Sequence, residues 1–105
     1  MTDRWQNQTD LFAGCAENDF LEAAASFKPE MRPEEYRVLR GAATLALPLI
    51  KGIGVLNLAG LSDGDIRRFY GGPHGLGGGR LGQVDKILER MVQLRGLDKE
   101  RPKPF

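Results

Sequence analysis

Apolar and polar positions along this chain repeat with the period of a helix rather than of a strand. Phe12, Ala16, Phe20, Ala24 and Phe27 recur near helical spacing, and Thr9 or Asp10 is placed to cap the first turn. Gly14 and the polar run Glu17-Asn18-Asp19 weaken the middle of that segment. Asp19 and Glu22 have capping-box spacing, so the pattern reads as one helix or as two short ones. Pro33 is a helix start, because proline at the first helical position is pre-set in φ and loses no hydrogen bond. Glu34 and Glu35 then complement the helix dipole, and Tyr36, Leu39, Ala43, Ala46 and Leu47 mark one apolar face. Pro48 predicts an end or a kink.

Leu49 to Leu58 is ambiguous by pattern. Ile50, Ile53 and Val55 favour a strand, yet no partner strand is evident, and Gly52 and Gly54 weaken either structure. The segment reads as a short buried helix or an irregular apolar stretch, followed by a turn over Asn57 to Gly60. Ser62 opens the next helix with Asp65 at capping-box spacing, Ile66, Phe69 and Tyr70 form its apolar side, and Gly71-Gly72-Pro73 stops it. The last helix runs from about Gly79 to Arg95, on a stripe of Leu81, Val84, Leu88 and Met91 widened by Ile87 and Val92. Gln83, Asp85, Lys86, Glu89, Arg90 and Gln93 face water in this pattern, and Gly96 is the expected stop. The predicted fold is mainly α: a single helical domain over residues 9–96, a small bundle of four to five helices with a long Gly-rich loop before the C-terminal helix. A flexible N-terminus, 1–8, and an extended charged tail, 97–105, flank it.

Composition narrows the class. The 105 residues suffice for one domain, and 15 basic residues against 14 acidic ones give a net charge of +1, which removes a global electrostatic argument for nucleic acid. The lone Cys15 excludes an intrachain disulfide and fits a reducing compartment. The first ten residues lack the apolar region of a secretory signal. Pro48, Lys51 and Asn57 interrupt the longest apolar stretch, so a buried core segment is expected rather than a membrane span. The expected location is cytoplasmic, with no membrane association.

Candidate chemistry centres on the glycines. Seven of the 14 fall between Gly71 and Gly82. Glycine tolerates positive φ and lets another backbone approach closely, so this run is a special loop. Gly77, Gly79 and Gly82 satisfy G-x-G-x-x-G, but a dinucleotide fingerprint needs a preceding strand and an acid on a following one, and the loop follows a helix instead. No Lys-Ser or Lys-Thr pair follows to complete a phosphate loop. What remains is a hinge-like connection between two amphipathic helices, with the N–H groups around Gly78 to Leu81 and the charge of Arg80 at a helix start. Cys15 within an apolar pattern reads as an inert thiol, and His74 in a loop is poorly oriented for catalysis. Together they cannot make a zinc tetrad. No cofactor, no metal and no enzyme are expected.

Arg67, Arg68, Arg80, Lys86 and Arg90 compose a basic set flanking the loop. A helix-turn-helix would use such a set, but with a turn of about 3–4 residues rather than this long connection. The segment SDGDIRRFYGGPHGLGGGRLGQVDKILERM resembles the C-terminal part of a small phage-encoded anti-CRISPR protein of the type I-F inhibitor class. Phe69, Tyr70, Gly71, Pro73, Gly75, Leu76, Gly77 and Arg80 carry the likeness, over under a third of the chain. That inhibitor begins with β-strands, whereas this chain begins with helices. The resemblance implies a non-enzymatic binder using a helix–glycine loop–helix surface.

The expected function is a non-catalytic protein-interaction module, a mobile-element regulator or inhibitor that meets a protein partner through Phe69, Tyr70, His74 and Arg80. The alternative is a nucleic-acid-binding regulator using Arg67, Arg68, Arg80, Lys86 and Arg90. A homodimer is a further expectation, since a proline-broken apolar segment in a domain of this size can finish its burial against a second copy.

Overall fold

The computed structural model describes residue 5 and residues 9–71, 75–76 and 79–100; the side chains of residues 9, 10, 63 and 95–100 lie outside that description. The rest of the expected flexible N-terminus, the loop residues Gly72, Pro73, His74, Gly77 and Gly78, and the tail beyond Glu100 fall outside the described residues as well.

The fold is a small all-helical bundle. After a 3-10 helix at Thr9–Phe12 come four α-helices: α1 (Glu17–Ala25), α2 (Pro33–Gly60), α3 (Asp63–Tyr70) and α4 (Gly79–Glu100), with a second 3-10 turn at Lys28–Glu30. Helices α1, α2 and α4 pack pairwise, and the first 3-10 helix lies on α2, while α3 is more lightly attached. The core between them is formed by Phe12, Phe20, Leu39, Leu58, Ile87 and Leu88 with smaller neighbours, and among the described residues it holds no buried polar or charged residue. Trp5 stacks edge-on against Phe12 with ring centroids 5.3 Å apart, extending the core at its N-terminal margin.

The expected first segment resolves into its two-helix form. Gly14, at φ 79°, occupies the left-handed region between the pieces. The cap differs from expectation: Ala16 is the N-cap, and the carboxylate of Asp19 accepts from the Ala16 N–H at 2.7 Å, so Asp19 closes the first turn rather than opening it. Pro33 starts α2 as predicted, with the Glu35 carboxylate accepting from the Arg32 N–H at 3.3 Å.

Helix α2 departs most from the sequence pattern. It passes through Pro48, and neither the stop there nor the turn at Asn57 to Gly60 forms. Pro48 is exposed, so the carbonyl it deprives of a helical donor can turn to water. The break comes six residues later, at Gly54, whose φ of 89° and ψ of 160° are non-helical. Across it, the Asn57 side-chain amide donates to the Ile53 carbonyl at 2.7 Å and replaces part of the interrupted ladder. Asn57 is thus a repair group inside a helix, not a turn residue. The bend puts Ile50 before it and Val55, Leu58 and Ala59 after it into one core. By length and composition α2 could cross a membrane; in this fold it is the central helix of the bundle.

A Cβ at Gly54 would meet nothing within 4 Å, so the Gly54→Ala variant isolates backbone strain from crowding. This region of φ and ψ is nearly glycine-only, and the substitution is expected to destabilise the fold by about 2 kcal/mol in urea unfolding. An unchanged midpoint would show that the break relaxes into continuous helix.

In α4 the predicted stripe is buried as drawn: Leu81, Val84, Ile87, Leu88 and Met91 are all 4% exposed or less. The helix continues through Gly96 to Glu100, so residues 97–100 are helical rather than part of an extended tail. Glycine lowers helix stability by only about 1 kcal/mol, which does not by itself end a helix.

Candidate interaction surface

Helix α3 and the start of α4 carry the residues that the sequence singles out. The N–H of Asp65 donates to the Ser62 hydroxyl at 3.1 Å, which caps α3, and Gly71 follows its last residue. Of the expected apolar side, Ile66 is fully buried and Tyr70 half-buried, but Phe69 is 65% exposed. The reason is angular. Ile66 points into the bundle, and a residue three positions on, in a helix this short, can leave the core when Tyr70 takes the inner place. Phe69 and Tyr70 meet at 6.4 Å with their planes at 62°, and the Arg68 guanidinium stands 5.9 Å from the Phe69 ring centre. Arg67 is exposed beside them.

The described loop residues Gly71, Gly75 and Leu76 are packed, and the rest of the predicted hinge-like connection lies outside the described residues. Leu76 is 1% exposed and its N–H donates to the Tyr70 carbonyl at 2.9 Å. A Cβ at Gly75 would overlap the carbonyl oxygens of Tyr70 and Gly71, and one at Gly71 would press on the backbone of Arg67. Gly71 has a φ of −82°, so close backbone approach rather than positive φ requires glycine there, and the same close approach requires it at Gly75. Arg80 closes the segment from the other side, donating to the Gly75 carbonyl at 3.1 Å. Tyr70 and Arg80 are therefore tied to the strap at Leu76 and Gly75, with Phe69 beside Tyr70, while His74 lies outside the described residues.

The basic set separates. Arg90 is not a free surface charge: its guanidinium pairs with the Glu30 carboxylate at 2.7 and 3.1 Å, donates to the Ser26 hydroxyl at 2.8 Å, and lies over the Phe27 ring at 4.0 Å. Its side chain is only 16% exposed. The Ser26 hydroxyl in turn donates to the Ala23 carbonyl at 2.6 Å, so Arg90 holds the C-terminal end of α1 to α4. The hydrogen bonds from Arg90 hold the Glu30 carboxyl below its ordinary value. Lys86 sits with Glu35, Met31, Val38 and Gln83 around a small cleft of about 270 Å³. The Glu35 carboxyl is lowered as well, first by the Arg32 N–H and side chain and to a smaller extent by Lys86. Arg67, Arg68 and Arg80 remain near the strap, and Lys86 and Arg90 serve other neighbourhoods.

Cys15 is half-buried and packs against the core. Among the described residues no three His, Cys, Asp or Glu side chains gather as a metal site. Two features escape the sequence pattern. One is Leu76, whose signal was a single large apolar residue among glycines. The other is a cluster at the start of α2, Tyr36, Arg37 and Arg40 with Lys28, hinted at by the one-turn spacing of Tyr36 and Arg40. No family model, curated protein or solved structure matches the chain.

Proposed function

We propose that this protein is a small non-catalytic interaction module, a regulator or inhibitor, that meets a partner protein with the end of α3. The observation that carries the reading is Phe69: a large aromatic side chain 65% exposed, flanked by Arg68 and Tyr70. Tyrosine and arginine are the residue types most often found as binding hot spots, and exposed aromatic area beside them is what a partner desolvates. The Tyr70 carbonyl and the Arg80 side chain are each held by a hydrogen bond to residues 75–76, so these two groups lose little ordering entropy on contact. The resemblance to a phage inhibitor lies in this same helix–glycine–helix segment and supports the class of function; among the described residues no strand extends it to the rest of the chain.

Phe69→Ala and, separately, Arg68→Glu are expected to weaken partner binding by at least about tenfold while leaving folding stability within about 0.5 kcal/mol. A photo-crosslinking residue at position 69, expressed in the native host, is expected to trap a discrete protein adduct. The same residue at Lys51, on the exposed side of α2, serves as the control. Equal adducts at both positions, or none at position 69, would remove α3 from the function. The nucleic-acid alternative keeps only Arg67, Arg68 and Arg80 near one another, and retardation of DNA or RNA that fades steeply with salt would favour it instead.

A further inference from the structure

The first turns of α2 and the 3-10 turn before them enclose a cleft of about 420 Å³ lined by Lys28, Met31, Pro33, Tyr36, Arg37 and Arg40. This is within the size range of ligand sites, and its wall is mainly apolar: the Met31 thioether, the Pro33 ring, the Tyr36 ring and the aliphatic stems of the cations. Tyr36 is held in place beforehand. Its hydroxyl accepts from the Arg40 guanidinium at 3.0 Å, and that guanidinium lies 5.7 Å from the ring centre.

The charges around the rim do not balance. Among the described residues no carboxylate pairs with Lys28, Arg37 or Arg40. Of the acids nearest in sequence, Glu30 is engaged by Arg90 and Glu35 by Arg32, which leaves Glu34 against three cations. An apolar pocket ringed by three uncompensated cations is complementary to an anion with an apolar body. A nucleic-acid backbone would meet the cations but leave the apolar wall uncovered, whereas a peptide can seat a side chain against it.

We infer that this cleft binds a short acidic peptide segment of a partner protein, with one aliphatic or aromatic side chain seated against Tyr36 and Met31 and the flanking carboxylates on Lys28, Arg37 and Arg40. The cleft uses none of the residues at the end of α3, so the two surfaces can be separated experimentally.

The probes are labelled pentapeptides with a central Leu, Phe, Trp or Gly between pairs of Glu and Asp, and a Phe peptide with Gln and Asn in their place. At low salt, fluorescence anisotropy is expected to give a dissociation constant below about 1 mM for at least one apolar-centred acidic peptide. The Gly-centred and the neutral peptides are expected to bind at least about tenfold more weakly, and amide shifts in the intact protein to cluster between residues 28 and 40. Lys28→Glu with Arg37→Glu should reduce binding by about tenfold or more at unchanged helical circular dichroism, because both residues are exposed and their side chains make no hydrogen bond or ion pair in the fold. Phe69→Ala should bind the peptide like the parent. No binding near 1 mM, equal binding of the neutral peptide, or indifference to the charge reversals would overturn the inference. So would loss of binding in Phe69→Ala, or tighter binding of a short oligothymidylate.

Discussion

Gly75→Ala is expected to destabilise the protein by about 3 kcal/mol, because the added methyl meets backbone atoms that no rotamer change can move aside. The clash is with the carbonyl oxygens of Tyr70 and Gly71, and the first of these is the acceptor for the Leu76 N–H. Relieving it means drawing the strap away from α3, which lengthens that hydrogen bond and lifts Leu76 from a position where it is 1% exposed. The methyl therefore acts on a polar contact and an apolar one together. The variant is also expected to lose the partner adduct at position 69, since Tyr70 and Arg80 take their places from the same strap. Gly79→Ala supplies the control, because a Cβ there meets nothing within 4 Å and the position is helical. Urea unfolding of the two variants should separate them clearly, and a Gly75→Ala midpoint equal to the parent's would show that the strap is free to move.

The second large effect is expected at Arg90. Arg90→Ala removes the hydrogen bond to Ser26, the contact over Phe27 and the ion pair with Glu30 in one step. The cation–π contact, largely desolvated, and the hydrogen bond together suggest a loss of about 3 kcal/mol at neutral pH. No contribution is assigned to the exposed Glu30, but its direction with pH is defined. Its folded pKa lies below 4.5, chiefly through the hydrogen bond from Arg90, so the associated stability is present above that value and is lost as pH falls through the folded pKa. The gap in stability between the parent and Arg90→Ala should accordingly narrow below pH 4.5 without closing, because the Phe27 and Ser26 contacts do not titrate there. Glu30→Gln should reproduce the narrowing alone. A gap that stays constant from neutral pH down through the ordinary carboxylate range to pH 3 would remove the ion pair from the account of the clamp.

Much of the helical scaffold was legible because its signals are local. Pro33 with two glutamates, Ser62 before Asp65, and the stripe from Leu81 to Met91 each specify a helix through a few neighbouring residues, and each helix formed where its signal stood. Local signals failed where distant atoms decided the outcome. Pro48 is tolerated because that side of α2 is exposed, and Gly54 breaks the helix because the core on either side requires a bend. Neither circumstance is written within a turn of the residue concerned.

The candidate surface was half legible for the same reason. The glycine run announced a special connection, but only the fold shows that Gly71 and Gly75 serve close backbone approach. Phe69 stood on the apolar side of its helix by spacing and was also expected at the partner surface; it emerges exposed, apart from the buried Ile66. Arg90 looked like a surface charge and belongs to a clamp whose other members lie 60 and 64 residues earlier. The cluster at Lys28 and Tyr36 was hidden because its cations read individually as ordinary solvated charges; their lack of acidic partners is a property of the folded chain.

The placement of Trp5 against Phe12 gives the molecule an optical label of its own. It is the sole tryptophan of the chain, and its ring rests on the first 3-10 helix, which packs on α2. Its emission therefore senses whether the N-terminal margin is seated, whereas far-ultraviolet circular dichroism averages over all four helices. Coincident curves from the two signals would mark one cooperative unit, and an earlier fluorescence transition would reveal a margin that detaches while the bundle stands.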